Sequence, residues 1–186
     1  MKVGVLGVGQ IPQSLLDEVA HAISGILPDS LGSALGDFLA VPEQAYNRKR
    51  GQYNSTVILN DVRSFATGRI EFHRIIGLVD VDIYTSGLNY VFGEAYAPGI
   101  AGLVSLWRLK SQFYGEAANP EVFLERTIKE VVHELGHTLG LQHCPHSYCV
   151  MHFSNSIFDT DKKQSLFCDQ HYLTASIAID QIRQSS

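Results

Sequence analysis

Residues 133–143 read His-Glu-Leu-Gly-His-Thr-Leu-Gly-Leu-Gln-His. His133 and His137 stand four residues apart, which in a helix puts both imidazoles on one face, about one turn apart. Glu134 lies between them in sequence and can reach the open side of a metal that they share. Gly140 can leave the helix through the left-handed conformation closed to most other residues, so the chain can turn and present His143 as a third ligand. Three neutral nitrogens with an open fourth position describe a catalytic zinc site, and Glu134 is its general base. His-Glu-x-x-His alone arises by chance, but the further x-x-Gly-x-x-His makes coincidence improbable. Zinc held in this way lowers the pKa of its water to about 7, polarises a carbonyl and steadies the developing oxyanion. Peptide-bond hydrolysis fits these parts.

A second set of ligand types follows at once. Cys144, Cys149, Cys168 and His171 offer three thiolates and an imidazole, the last two as a Cys-x-x-His pair. Such a set closes a tetrahedral zinc site with no open position, so its role is structural, supplying folding free energy to a segment with little core of its own. The bland alternative is buried free cysteines and a surface histidine. His146 and His152 are spare imidazoles nearby; either could take the place of His171 or approach a substrate, although surface placement is the simpler reading of both.

The elements that must hold these residues can be read in outline. Residues 2–6 form a first strand, apolar enough for a central position. The turn Gly7-Val8-Gly9-Gln10-Ile11-Pro12 lacks the third glycine of a dinucleotide fingerprint and reads as a tight strand-to-helix turn. Ser14 caps a helix to about residue 26, and Ser55 caps a second to about residue 66. Between them, residues 38–41 form a short strand and 46–53 a polar loop. Residues 74–84 make the strongest strand, with Asp80 and Asp82 on one face as a solvated strand end. Residues 89–95 are a short extended piece, and 101–110 the last clear strand. Asn119-Pro120-Glu121 then opens the main helix with a cap, a first-turn proline and an acid at the positive end of the dipole. Its apolar residues surround it, so it carries His133 and His137 to the interior. Regular structure is hard to read from residue 140 to about 173. The class is α/β (α+β) in one domain, with residues 1–142 as the sheet and helix part and 143–186 as a C-terminal lobe.

Totals narrow the function. The 186 residues are 45% hydrophobic and 18% charged, enough for a sizeable core and too little charge for wholesale disorder. A net charge of -5 leaves no basic footprint for nucleic acid, and Arg48-Lys49-Arg50 is a short solvated run. The apolar N-terminus is brief and broken by glycines, a buried strand and not a signal peptide. No apolar run approaches the roughly 20 residues that span a bilayer. Three cysteines, an odd number, suit a metal in a reducing compartment better than a disulfide framework. The expectation is a soluble cytoplasmic protein with a peptide as its partner.

The long histidine motif resembles that of the metzincin zinc peptidases. Followed at once by Cys144, then Cys149, then Met151 two residues on and a later paired motif, it is similar to the archaemetzincin family, most strongly over residues 133–171. The resemblance implies a metzincin fold: a five-stranded, mixed, twisted sheet with one antiparallel strand, long helices and a zinc-stabilised C-terminal lobe. It also implies two zinc ions per chain, one catalytic on His133, His137 and His143 and one structural on the cysteine set, with Glu134 as base and Met151 in the methionine turn beneath the metal. Its activity would fall on short peptides or be aminopeptidase-like. The rival class is a non-catalytic zinc- or peptide-binding protein on the same scaffold, against which the retention of Glu134 argues. The family pattern usually ends Cys-x-x-Cys, and His171 stands in that last place. Astacin-like metzincins place a metal-reaching tyrosine two residues after the methionine; Phe153 stands there and cannot act so.

Overall fold

The computed structural model describes residues 1–185. In chain order its elements are β1 (Lys2–Val8), α1 (Gln13–Ile26), β2 (Leu31–Leu39), β3 (Tyr46–Asn47), β4 (Gln52–Asn54), α2 (Ser55–Thr67), β5 (Arg74–Val79), β6 (Ile83–Tyr84), β7 (Gly93–Ala95), β8 (Ala101–Ser105), α3 (Pro120–Thr138), α4 (Ile157–Lys162) and α5 (Asp169–Gln184). The main sheet runs β2-β1-β5-β8-β7, and a small sheet runs β3-β4-β6. β1 is parallel to β2 and β5, and β5 to β8; β7 alone is antiparallel, on the edge beside β8. This is the expected five-stranded mixed sheet with one antiparallel strand.

The central strands are apolar because both sheet faces are covered. Side chains alternate between faces. Val3, Val5, Ile76, Leu78 and Val104 point towards α1 and α3. Leu6, Val8, Ile75, Val79 and Leu103 point towards α2. Each such side chain contributes about 1.5–3 kcal/mol on burial. The first of these cores does not stop at α3. Cys144, Cys149, Val150, Met151, Ile157, Cys168, Ala175 and Ile179 belong to it as well, so the C-terminal segment packs directly on the helix that bears the histidines.

α3 opens as its sequence dictates. Asn119 is the cap, its side-chain oxygen accepting from Val122 N–H at 3.1 Å, with Pro120 in the first turn and Glu121 beside the positive end. From Arg126 to Gly136 almost every residue is buried. Arg126 pairs with Asp161 at 2.7 Å, Lys129 with Glu125 at 2.6 Å and Glu130 with Lys163 at 2.9 Å, whereas Glu134 has no ion pair among the described residues.

Several local expectations are corrected. Ser14 does not cap α1; Pro12 precedes it and the helix has no side-chain cap. Asn54, not Ser55, caps α2, accepting from Val57 N–H, and Ser55 is its first residue. The short strand at 38–41 is the end of a nine-residue edge strand, β2, and the polar loop at 46–53 holds the hairpin of β3 and β4. The strand at 74–84 breaks at Val79, because Asp80 and Asp82 turn to meet Lys110 at 2.6 Å and Arg108 at 2.6 Å; β6 then joins the small sheet. β8 ends at Ser105, and residues 107–109 form a 3-10 turn. α4 and α5 begin well before residue 173, α4 behind a reciprocal cap of Ser156 and Asp159. Among the described residues, no helix is long and apolar enough to cross a membrane.

Candidate metal centres

The last turns of α3 deliver His133, Glu134 and His137 to one side. The helix then closes with Gly140 at φ +89, Gly140 N–H donating to His137 O at 2.8 Å and Leu141 N–H to Gly136 O at 3.1 Å. These are the paired bonds of a Schellman turn, which only a residue at ease in the left-handed region completes without strain. The turn reverses the chain and brings His143 back over the helix end. His137 Nε2 lies 3.1 Å from His133 Nε2 and 3.2 Å from His143 Nε2.

The distal nitrogens define the protonation of two of these rings. His133 Nδ1 lies 2.8 Å from the Val150 carbonyl, and His137 Nδ1 2.8 Å from the Leu141 carbonyl. A carbonyl only accepts, so each Nδ1 carries the proton and each Nε2 turns a lone pair inwards. Burial lowers the pKa of both rings, that of His133 well below its ordinary value, with Lys163 acting in the same direction on each; His143 is lowered too, again chiefly by desolvation. All three are therefore neutral, the form that ligates. A tetrahedral zinc with Zn–N of about 2.05 Å sets its nitrogens about 3.3 Å apart, close to the spacing found.

Glu134 is buried beside them, against the edge strand. A Cβ on Gly93 would lie 2.5 Å from Glu134 Oε1, so only glycine there lets the carboxylate occupy its place. Desolvation, then the charges of Glu130 and Glu94, push its carboxyl well above the usual range, with Lys163 pulling the other way. Below the helix, Met151 is fully buried with its thioether against Gly136, where a Cβ would come within 2.4 Å of the sulfur.

The second group begins at the residue after His143. Cys144, Cys149, Cys168 and His171 place one ligand atom each within 4.8 Å of one another. Cys144 Sγ and Cys168 Sγ are 3.9 Å apart, and Cys168 Sγ is 3.3 Å from His171 Nδ1. Zn–S bonds of about 2.3 Å give sulfur separations of about 3.8 Å. The three thiols do not form disulfides. Burial raises the Cys149 thiol to about 11. Burial also pushes Cys168 up, but the backbone and ring of His171, with Cys149 and Cys144, outweigh it and bring that thiol to about 7. Three thiols and an imidazole gathered at these distances are the donor set of a closed tetrahedral zinc site. His146 is exposed and stacks on Tyr148, and His152 donates from Nδ1 to the Cys144 carbonyl at 2.9 Å, so neither ring stands with the thiols.

A cleft of about 390 Å³ opens over the three imidazoles. Strand β7 forms one wall, and residues 153–155 face it with the Phe153 ring 4.9 Å from that of His143. Glu94, on β7, accepts from Ser55 and Thr56 at the start of α2. Glu130 also reaches the cleft, held by Lys163, fully buried, and by Thr160 Oγ1 at 2.9 Å. Sequence reasoning missed Gly93, Gly136, Glu94, Glu130 and Lys163. Only Glu130 left a local signal, four residues before Glu134 on the same helix face.

Comparison with known proteins agrees with this geometry. A family model for peptidase family M54 matches residues 33–174. The archaemetzincin of Methanocaldococcus jannaschii is 46% identical over 128 residues, covering 69% of this chain and 68% of that one. The crystal structure of the archaemetzincin from Methanopyrus kandleri superposes with a TM-score of 0.82 at 36% identity, over 97% of this chain and 96% of that one. That of a zinc-dependent peptidase from Methanocorpusculum labreanum gives 0.84 at 25% identity, over 93% and 99%. The chain belongs to peptidase family M54, the archaemetzincins, and is a zinc metallopeptidase.

Proposed function

We propose that the chain hydrolyses short peptides at a catalytic zinc on His133, His137 and His143, with Glu134 as general base, and that a second, structural zinc sits on Cys144, Cys149, Cys168 and His171. The donor sets support this reading: three neutral imidazoles converge beneath a cleft in one, and three thiols buried in the core stand with a half-buried imidazole in the other. When bound, the first zinc supplies a Lewis acid that acidifies a water and polarises the scissile carbonyl.

The chain's own residues do the rest. Glu134, desolvated and pressed against Gly93, takes a proton from the attacking water and carries it to the leaving amine. Strand β7 pairs with β8 on one side only, so its outer edge along the cleft accepts an extended peptide by strand addition. Glu94 adds negative charge to that wall, which favours a free α-ammonium group and thus an aminopeptidase-like substrate. Residues 1–142 and the lobe at 143–186 act as one domain, since Met151 and Val150 of the lobe support His133 and Gly136 of the helix.

The observation that carries this proposal is the convergence of the three imidazoles beside the buried Glu134 carboxyl, which Gly93 leaves room for. A peptide library presented to zinc-replete protein tests it. Cleavage of short peptides, with loss of cleavage on blocking their amino termini, is the expected result. Complete silence across the library would defeat the catalytic reading, and cleavage indifferent to the blocking group would remove the role of Glu94.

A further inference from the structure

The three imidazoles of the first site are not held alike. His133 and His137 each donate from Nδ1 to a backbone carbonyl. His143 is exposed, and its Nδ1 has no hydrogen-bond partner among the described residues. Its ring lies against Phe153, and its backbone is held through its two peptide neighbours. On one side, Cys144 N–H donates to the Met151 carbonyl at 2.9 Å and the Cys144 carbonyl accepts from His152 Nδ1 at 2.9 Å. On the other side is Gln142, whose carbonyl lies 3.2 Å from His171 Nε2.

We infer that His171 is a positioning residue for His143, acting through this bond as well as serving the second site. The reading rests on the two-zinc proposal above. His171 turns Nδ1 towards Cys168 Sγ at 3.3 Å, so Nδ1 is its ligand atom. The other nitrogen faces a carbonyl and must carry the proton. One imidazole thus spans the two sites, gripping the thiol knot with Nδ1 and the peptide that precedes His143 with Nε2–H. A cysteine at 171 supplies a sulfur to the metal and nothing to Gln142, because a ligating thiolate has no proton to donate. The imidazole is therefore not an equal exchange for a thiolate at this position. Outer partners of metal ligands commonly change metal affinity 10–100-fold, and the effect here should fall on the neighbouring site.

Two measurements on zinc-loaded protein test the link, after zinc analysis of the unmodified chain. Fewer than two zinc per chain defeats the two-zinc reading itself. With two present, a long-range proton–nitrogen spectrum of histidine-labelled protein should show His171 protonated on Nε2; protonation on Nδ1 overturns the inference. In the second measurement, zinc is released to excess chelator from the unmodified protein and from His171→Cys, the phase belonging to the three-imidazole site being the one absent in His143→Ala. The expected result is two zinc retained in His171→Cys with that phase at least about 10-fold faster. Two zinc with an unchanged rate overturns it. Should the cysteine variant hold only one zinc, the spectrum of the unmodified protein decides alone.

Discussion

The two clusters meet at one peptide bond, between His143 and Cys144, yet they are built in opposite ways. The imidazole cluster rests on a long helix. Its first two rings are fixed by buried carbonyls, and its third arrives over a Schellman turn closed by Gly140. The thiol cluster draws its members from loops and from the start of α5, with Cys168 as the residue before that helix. One faces a cleft and is ringed by carboxylates; the other sets its three thiols in the apolar core with a half-buried imidazole beside them. The difference teaches a division of labour. Regular structure positions the imidazoles, while under the proposed two-zinc reading ligand bonds would tie together the loops that carry Cys144 and Cys149 and the start of α5.

Perturbing each region should therefore register in different observables. The largest effect is expected at the thiol knot. Cys149→Ser should lose one zinc of two and more than about 4 kcal/mol of stability, the scale of a lost metal. For a chain of this length that is a fall in Tm of roughly 10 °C or more by calorimetry. A full zinc complement with an unchanged Tm would mean that the knot is not a structural site. Next comes the buried pair between the regions. Lys163→Met leaves Glu130 uncompensated in the interior and should cost about 3–5 kcal/mol in chemical denaturation, whereas Lys163→Met with Glu130→Leu should recover much of it. Gly93→Ala sharpens the contrast from the cleft side. Its methyl group would meet the Glu134 carboxylate at 2.5 Å. Turnover should drop about 10²-fold, as for a catalytic group displaced by an ångström, with both zinc ions kept and Tm nearly unmoved. A parallel loss of stability would place Gly93 among the structural residues instead.

How much of this was legible in the sequence depends on how local the cause is. The spacing of His133, Glu134, His137 and His143 and the cap at Asn119 are local patterns, and the chain folds as they imply. β2 was barely visible because it is an edge strand with two glycines, a buried Leu35 and an exposed Phe38, so alternation never shows. The break after Val79 was hidden because Asp80 and Asp82 continue the alternation; what turns the chain are their partners Lys110 and Arg108, remote in sequence. Lys163 gave no sign at all, since its partner lies 33 positions earlier on another element. Gly93 and Gly136 likewise owe their identity to side chains that only the fold brings near, Glu134 and Met151.

The central claim is that Glu134 is the base of a zinc site it does not itself hold. Glu134→Gln keeps the shape of the side chain and removes its capacity to accept the proton. Steady-state turnover of this variant, on the best peptide from the library and with zinc counted in the same sample, is the most direct test. The account predicts kcat lower by about 10²–10⁴-fold with two zinc still bound. Turnover equal to that of the unmodified chain would contradict it.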